Sequence, residues 1–315
     1  MYKKISDYGI IGNSRSLVLV GNDGSIDWLC LPFMDSASVF AALLDEHKGG
    51  RFSVQPVDDW DSVAAYLPGT NILQTMFRTR HGSMKLTDFM PVSRNESRDT
   101  DHKPSEIYRC VEAVRGEMTF EAVFDPRFDY AREAASLEAI EGGLVAKGVN
   151  DTLILSASHG RWTIQKDGAK AVWRMKKGER LWLRLHFGNG GVPPLQEEQA
   201  EKALTETEYY WRNWLETNET GRDLDLGRLK PMIDRSALVL KLLEFSPTGA
   251  IAAAATTSLP EAIGGVRNWD YRFSWIRDSA LTVEALYNVG HLVEMEAYRS
   301  EERRVGKECA TGCRS

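Results

Sequence analysis

The first 195 residues alternate short apolar runs with turn-forming residues, a pattern typical of β-strands joined by tight turns. Leu17–Val20 and Ser25–Leu31 flank Gly21–Gly24, whose glycines, asparagine and aspartate tolerate positive φ, and together they predict a β-hairpin. Further strands are predicted at Ile72–Arg80, Met84–Met90, Ile107–Val114, Met118–Phe124, Thr152–Ser158, Trp162–Gln165 and Arg180–Phe187. Many short strands in succession favour a β-sandwich.

The clearest alternation lies in Arg180–Phe187. Leucines at positions 181, 183 and 185 alternate with Trp182, Arg184 and His186, which predicts one buried face and one solvent-facing face. Earlier in the chain, Arg115–Glu117 has a central glycine and is predicted to be a turn that separates two strands.

The pattern changes after Gly188–Pro194, a stretch of glycine and proline that indicates a domain boundary. Apolar residues then recur every three or four positions, which predicts a helix over Leu195–Thr217. A second helix is predicted over residues 226–243, with Pro231 either starting or kinking it. Strands come first and helices afterwards, so the sequence predicts two domains of different class.

Two later segments complete the helical region. Gly249–Ala255 is small and apolar and fits either a helix or an extended segment. A further helix is predicted over Phe273–Val289, and the spacing of its apolar residues predicts a buried face. That face comprises Ile276, Ala280, Val283 and Tyr287.

The last 17 residues, Arg299–Ser315, show no apolar period of either kind. They resemble a translated adapter or vector sequence, and we expect this tail to lie outside the fold. Two of the four cysteines, Cys309 and Cys313, belong to it, and their spacing lacks the second ligand pair of a zinc site. Cys30 and Cys110 lie in or beside apolar runs and are predicted to be buried free thiols. No metal or cofactor is expected.

Composition narrows the class of protein. The chain has 315 residues, 43% hydrophobic and 27% charged, as expected of a globular protein. Its net charge of −6 argues against nucleic acid or an anionic membrane as the main partner. No secretory signal or membrane span is recognisable, so a cytoplasmic location is expected. The oligomeric state is left open.

Candidate chemistry is concentrated in Arg267–Asp278, which combines aromatic rings, guanidinium groups and carboxylates. Trp275 and Asp278 are three residues apart and would share one face of a helix. An indole ring that stacks on a pyranose beside a carboxylate that accepts from its hydroxyls suits sugar binding, and Arg277 could donate to the same sugar. The alternative is that the aromatic residues are core residues and that Arg277 and Asp278 form an ordinary ion pair.

Two separate segments carry a resemblance to a known family. Ser258–Glu261 together with Gly264–Asp278 resembles glycoside hydrolase family 15, which includes glucoamylases, glucodextranases and prokaryotic trehalases. Ile5–Asn13, with Gly24–Pro32 and Ser38–Phe40, resembles the trehalase-like N-terminal domain of its bacterial members. The resemblance runs from about Met1 to Tyr298.

The resemblance implies a β-then-α multidomain architecture. Its expected parts are an N-terminal super-β-sandwich over residues 1–195, a helical linker over 196–225 and the beginning of a truncated (α/α)6 barrel over 226–298, followed by the tail at 299–315.

The resemblance also implies roles for individual residues. In the family, the W-x-R-D element lines the subsite for the non-reducing-end sugar. Trp275 would be its hydrophobic wall, and Arg277 and Asp278 would hold the glucose hydroxyls. The loop that contains Arg267, Trp269 and Asp270 would form the rim of the pocket.

No catalytic acid or base is assigned. An inverting glycosidase needs two carboxyl groups about 6.5–9.5 Å apart, and the family takes both from glutamates well beyond the W-x-R-D element. Glu284 and Glu294 follow that element, but we predict that they are solvated or lie at the edge of the packing.

The function expected from the resemblance is hydrolysis, with inversion, of non-reducing terminal α-glucosidic bonds, of glucoamylase or α,α-trehalase type. The resemblance implies that this chain is the N-terminal portion of such an enzyme, and we expect it to be inactive by itself. Two alternatives stay open, a glycoside phosphorylase and a non-catalytic carbohydrate-binding or structural β-sandwich. The sequence does not choose among starch, dextran and trehalose.

Overall fold

The computed structural model describes residues 2–92, 105–189, 194–217, 226–257, 262 and 265–300. Its strands in chain order are β1 (Tyr8–Gly12), β2 (Leu17–Gly21), β3 (Ser25–Cys30), β4 (Ser38–Phe40), β5 (Arg51–Pro56), β6 (Asp61–Tyr66), β7 (Leu73–Arg78), β8 (Gly82–Phe89), β9 (Ser105–Asp125), β10 (Glu133–Ala134), β11 (Ser136–Ile140), β12 (Gly143–Lys147), β13 (Thr152–Ala157), β14 (Thr163–Gln165), β15 (Gly168–Lys176), β16 (Arg180–Phe187), β17 (Glu244–Phe245) and β18 (Ala250–Ile251). The helical elements are two 3₁₀ turns (Ile5–Asp7 and Gly227–Leu229), a single left-handed turn, α1 (Phe128–Ala131), and the helices α2 (Glu197–Glu216), α3 (Lys230–Leu243) and α4 (Ile276–Asn288), with further helical residues at 292–300.

The strands up to β16, except β10, build two antiparallel sheets that share β9. One sheet contains β1–β5, β14 and β15, and the other contains β6–β8, β11–β13 and β16. The first part of β9 pairs with β16 through Ser105–Glu112, and the second part pairs with β15 through Glu117–Phe124. The predicted hairpin at Leu17–Leu31 is present as β2 and β3.

The turn predicted at Arg115–Glu117 is wrong, because the strand continues through it. Gly116 bends the strand with a φ of +71°, and this bend carries β9 from one sheet to the other. A Cβ atom at this position would lie 2.1 Å from the carbonyl oxygen of His81, so only glycine fits there. The glycine that suggested a chain reversal instead allows a strand to change sheets.

The main core lies between the two sheets and contains side chains from both. It includes Ile11, Val18, Phe52, Phe124, Leu155 and Leu185. The prediction that one face of Arg180–Phe187 meets solvent is wrong, because Trp182 and Arg184 are buried as well. Trp182 packs with Leu195 and Ala200 of the α2 region, so a helix covers this outer face of the sheet.

The helices largely follow the sequence prediction. α2 lies within the predicted range, and Pro231 sits in the first turn of α3, where its missing N–H has no helical partner to lose. Of the two possibilities for Gly249–Ala255, the extended one is correct, because β17 and β18 form a short antiparallel pair there. Within the described ranges, none of the helices is long and apolar enough to cross a membrane.

The apolar face predicted for α4 is largely not the buried one, although Val283 is partly buried against the helical cluster. The buried residues are Ser279, Thr282 and Leu286, whereas Ile276 is 83% exposed. The hydroxyl of Ser279 donates to the carbonyl of Ile251 at 3.3 Å, so the small polar side of α4 approaches the β17–β18 pair closely. Apolar spacing located the helix, but the tight backbone approach decided which side faces inward.

A buried charge cluster joins α2, α3 and the helical residues 292–300. Glu294 is ion-paired with Lys241 at 2.9 Å and accepts a hydrogen bond from the indole of Trp214 at 2.7 Å. Glu244 also pairs with Lys241. The prediction that Glu294 is solvated or peripheral is therefore wrong, because a lysine and an indole satisfy it inside the packing. Glu284 is exposed, as predicted.

Several predicted features lie partly or wholly outside the described residues. They include residues 190–193 of the predicted boundary, the segment Ser258–Glu261 and residues 301–315 of the tail. The domain limits at 195, 225 and 298 stay predictions. Cys30 and Cys110 are buried free thiols, as predicted.

Candidate functional site

The W-x-R-D element lies at the beginning of α4. Trp275 is the N-cap residue, with extended backbone angles, and Asp278 lies in the first helical turn. A carboxylate there interacts favourably with the unpaired N–H groups and the positive end of the helix dipole. The sequence predicts that Trp275 and Asp278 share one face of a helix, but Trp275 precedes the helix with extended backbone angles and only Asp278 lies within it.

Three aromatic rings of the motif pack together. Tyr271 stacks on Trp275 with ring centroids 5.1 Å apart and planes 12° from parallel. Trp269 meets Trp275 edge-on at 6.4 Å and remains 51% exposed. The indole N–H of Trp275 donates to the backbone carbonyl of Asp270 at 3.1 Å. These contacts orient the rings and leave Trp269 at the surface.

The charged residues of the motif form two ion pairs with different surroundings. Arg277 pairs with Asp278 at 3.0 Å, and the arginine side chain is 69% exposed. Arg272 pairs with Asp270 at 2.7 Å, and its side chain is 4% exposed. Burial alone would raise the pKa of the Asp270 carboxyl, but the hydrogen bonds from Arg272 outweigh it and hold the pKa below its usual value.

A groove of 810 Å³ lies between the sandwich and the helical region, and Asp278 and Tyr271 line it. Its other lining residues are Ile5, Tyr8, Ile10, Leu19, Leu43, Leu44, Tyr66, Arg235, Val239, Ala253, Ala254, Thr256 and Thr257. The lining is mostly apolar, with hydroxyl, carboxylate and guanidinium groups at separate points. Sugar-binding sites commonly combine ring-stacking surfaces with such dispersed polar groups.

Tyr66 of the sandwich and Arg235 of α3 are in contact with each other in the lining of this groove. The guanidinium of Arg235 lies 3.9 Å from the ring centroid of Tyr66 and donates to the backbone carbonyl of Thr70 at 2.8 Å. The hydroxyl of Tyr66 accepts from the N–H of Ile10 at 2.7 Å, and burial raises the pKa of Tyr66. This pair is held rigidly at the junction between sandwich and α3.

The predicted site residues take distinct positions. Asp278 lines the groove, whereas Trp275 stacks against the groove-lining Tyr271. Arg267 and Trp269 are exposed, and Asp270 turns toward Arg272. Within the part of the chain that the structure describes, no three His, Cys, Asp or Glu residues are grouped so as to hold a metal ion.

Sequence reasoning named Tyr271 and Arg272 only as parts of the motif and missed Tyr66, Arg235, Thr256 and Thr257. Tyr66 and Arg235 are 169 positions apart, and neither stands in a recognisable motif. Their proximity depends on how α3 packs against the sandwich.

Two family models match the chain. The model described as "Trehalase-like, N-terminal" matches residues 2–211, and "Glycosyl hydrolases family 15" matches residues 227–313. The second match covers most of residues 299–315, whose interpretation as an adapter-derived tail stays a prediction. The first match ends at residue 211, within α2, and the second begins at residue 227, just before α3.

Curated relatives agree with the family models. A protein named Trehalase from Thermoplasma volcanium is 36% identical, over 93% of this chain and 46% of its own length. Proteins of the same name from Thermoplasma acidophilum and Mycolicibacterium smegmatis are 35% and 34% identical, over 89% and 92% of this chain and 47% and 45% of their own lengths. The chain therefore spans about half the length of the curated relatives it matches.

A solved structure described as "Putative kojibiose phosphorylase from human microbiome" aligns with a TM-score of 0.41 and 10% identity, over 78% of this chain and 40% of its own. This likeness is too weak to support an inference.

The chain belongs to glycosyl hydrolase family 15 and carries a trehalase-like N-terminal domain.

Proposed function

We propose that the whole protein is an inverting hydrolase of α,α-trehalase type and that this chain supplies the subsite for the non-reducing-end glucose. The position of Asp278 carries the proposal, because its carboxylate lines a groove beside Tyr271 at the start of α4. The relatives named Trehalase favour trehalose over starch or dextran as the substrate class.

Each group has a distinct part in this proposal. The Asp278 carboxylate accepts hydrogen bonds from glucose hydroxyls, while Arg277 holds the carboxylate in place and donates to the same sugar. Tyr271, with Trp275 stacked behind it, offers a flat apolar surface to the C–H groups of the ring. Trp269, Asp270 and Arg267 form the rim of the pocket.

The acid and the base of the reaction are not assigned to this chain. In an inverting mechanism, one carboxylic acid protonates the leaving oxygen, and a carboxylate on the opposite face of the sugar activates water. Asp278 is proposed only as a binding residue. We therefore propose that the 315-residue chain binds the sugar without hydrolysing it. A cytoplasmic location also remains a prediction.

Titration of the chain with trehalose and with maltose, followed by tryptophan fluorescence, tests the proposal. Asp278→Asn should weaken trehalose binding by about 1.5–3 kcal/mol, because a hydrogen bond to a charged group is lost. Glu284→Gln removes an exposed carboxylate from the same helix and should leave the affinity unchanged. Equal affinities in wild type and Asp278→Asn would rule out the proposed subsite.

A glucose-release assay on the same samples separates the alternatives. Binding of trehalose without glucose release is the expected result for this chain. Glucose release would place a catalytic acid and base within these 315 residues and contradict the assignment above. Glucose 1-phosphate formed only in the presence of inorganic phosphate would favour a phosphorylase.

A further inference from the structure

Arg272 connects the candidate sugar site to the β-sandwich. Its Nη1 donates to the carbonyl oxygen of Ser36 at 2.7 Å and to Sγ of Cys30 at 3.3 Å. Its Nη2 donates to the hydroxyl of Tyr130 at 2.6 Å, and the guanidinium lies 5.8 Å from the ring centroid of Trp28. A side chain from the helical region thus occupies a buried, fully bonded position in the sandwich.

The same guanidinium is tied to its own segment. The carboxylate of Asp270 accepts from Nε of Arg272 at 3.0 Å and from Nη2 at 2.7 Å. All three guanidinium nitrogens therefore have partners, divided between the sandwich and the site segment. Tyr271, which lines the groove, lies between Asp270 and Arg272 in the sequence. The ion pair between these two neighbours fixes the backbone on both sides of Tyr271.

A neighbouring segment is held at the same place. The N–H of Ala254 donates to the carbonyl of Tyr271 at 2.8 Å, and the indole of Trp28 donates to the carbonyl of Ala255 at 3.1 Å. Residues 253–257 and 270–273 are thus paired with each other and anchored on the sandwich around Trp28 and Arg272.

The segment that carries Tyr130, the partner of Arg272, has an unusual backbone conformation. Tyr130 belongs to the left-handed turn α1, in which Asp129, Tyr130 and Ala131 have φ values of 47°, 57° and 63°. Non-glycine residues seldom adopt this conformation, and three in succession persist only where the surroundings fix them. The turn aims the Tyr130 hydroxyl at Arg272, so the sandwich presents a preformed acceptor to the incoming guanidinium.

We propose that Arg272 is a positioning residue that latches the segment 270–278 onto the sandwich, so that Tyr271 and Asp278 keep the places that sugar binding requires. The inference rests on the proposed function for the identity of the ligand. The sandwich then takes part in the site, because the geometry of the sugar subsite depends on Ser36 and Tyr130. Arginine is needed because its planar guanidinium donates to Asp270 and to the sandwich acceptors at the same time, whereas the single ammonium group of a lysine cannot do so.

The reactivity of Cys30 reports whether the segment 270–278 is docked on the sandwich through Arg272. Its thiol is buried beneath Arg272, and burial raises its pKa to about 12, so it should react slowly while the segment is docked. Cys110 is buried elsewhere, under α2, and burial likewise raises its pKa to about 12. Iodoacetamide labelling resolved by peptide mass spectrometry therefore reports undocking of the segment 270–278 at Cys30, and release of α2 or unfolding of the sandwich at Cys110.

The decisive variants are Arg272→Ala, Arg272→Lys and Tyr130→Phe in the full chain. Arg272→Ala should raise the labelling rate of Cys30 at least about tenfold while that of Cys110 stays within about twofold. Arg272→Lys should recover part of the protection. Arg132→Ala is the matched control, because Arg132 lies over the same Tyr130 ring but is exposed, and it should change neither rate.

Trehalose binding, measured by tryptophan fluorescence, provides the functional readout. Arg272→Ala should weaken the affinity at least about tenfold, Tyr130→Phe by less, and Arg272→Lys should restore part of it. Because coupling is reciprocal, saturating trehalose should slow the labelling of Cys30 in the wild type and leave Cys110 unaffected.

Contrary results are distinguishable. An Arg272→Ala chain with wild-type trehalose affinity and Cys30 rate overturns the latch. If the Arg272→Ala variant fails to fold, both of its cysteines will be exposed. In that case the Tyr130→Phe variant is the test. A Cys30 labelling rate and a trehalose affinity equal to those of the wild type in Tyr130→Phe would overturn the proposal. A wild-type chain that binds neither trehalose nor maltose contradicts the proposed function, while the Cys30 rates still show whether Arg272 docks the segment.

Discussion

The β-sandwich and the helical region enclose their apolar side chains differently. Among the residues that the structure describes, the core between the two sheets consists of sandwich residues alone. The cluster under the helices also includes Leu17, Met34 and Val92 of the sandwich, and Leu281 and Ile276 of α4 remain 62% and 83% exposed. The sandwich therefore supports the helices from α2 onward, which bury their apolar side chains against it. The central core of the sandwich forms without them.

The largest expected effect lies at the buried ion pair of the sandwich. Arg109 and Asp88 are both fully buried, and the guanidinium also donates to the carbonyls of Phe52 and Gly24, each at 2.6 Å. Arg109→Ala should destabilise the sandwich by about 3–5 kcal/mol, because it leaves a carboxylate and two carbonyls buried without their donor. Guanidinium unfolding followed by far-UV circular dichroism measures this.

The same unfolding experiment compares the β-sandwich with the helical region. If the sandwich supports the helices, Arg109→Ala should lower the helical and the β transitions together. A helical signal that keeps its wild-type midpoint would show that the helical region is independent of the sandwich.

A series of identical substitutions sharpens the comparison. Leu155→Ala in the sandwich core and Leu242→Ala in the helical cluster should each cost about 2–5 kcal/mol, since both side chains are fully buried. Leu281→Ala on the exposed side of α4 should stay within about 0.5 kcal/mol. Leu242→Ala should release the helices and leave the β-sheet signal intact. Simultaneous loss of both signals in that variant would contradict the one-way dependence.

The smallest expected effect is a pH dependence confined to the helical region. Burial alone would raise the pKa of Glu294, but the charge of Lys241 outweighs it and the pKa is lowered. A carboxyl group with a lowered folded-state pKa stabilises the fold above its unfolded pKa and loses that contribution as the pH falls through the folded value. The helical midpoint should therefore drop as the pH falls below about 4.5, and Glu294→Gln should flatten that slope.

Two comparisons check the pH effect. Glu284→Gln, an exposed substitution on α4, should retain the wild-type slope. If the Glu294→Gln variant shows the same acid dependence as the wild type, the Lys241–Glu294 pair is not its source.

Local signals predicted much of the fold. The hairpin β2–β3, the strand β16 and the helix α2 were found because turn residues and apolar period act over a few positions. Strands β1, β4, β5, β6, β10, β11, β12, β15 and β17 were not predicted. β6 is mostly exposed and pairs only with β7 among the described strands, so its side chains carry little apolar alternation.

The errors share a physical origin in long-range packing. The outer face of β16 is buried because α2 covers it, and the inner side of α4 is polar because the β17–β18 pair approaches it closely. The motif around Trp275 and Asp278 could be located from sequence alone. Its groove could not, because Tyr66 and Arg235 come from distant parts of the chain.

The shared strand β9 has a consequence for how the protein reaches its fold. A one-residue slip of a strand exchanges its inward and outward side chains, and in β9 that error would enter both sheets at once. Such a slip would also move Gly116 away from the bend and force a side chain into a space closed by the His81 carbonyl. A register error in β9 would therefore disturb both sheets together. The close approach of the His81 carbonyl at Gly116 allows only the register in which the glycine lies at the bend.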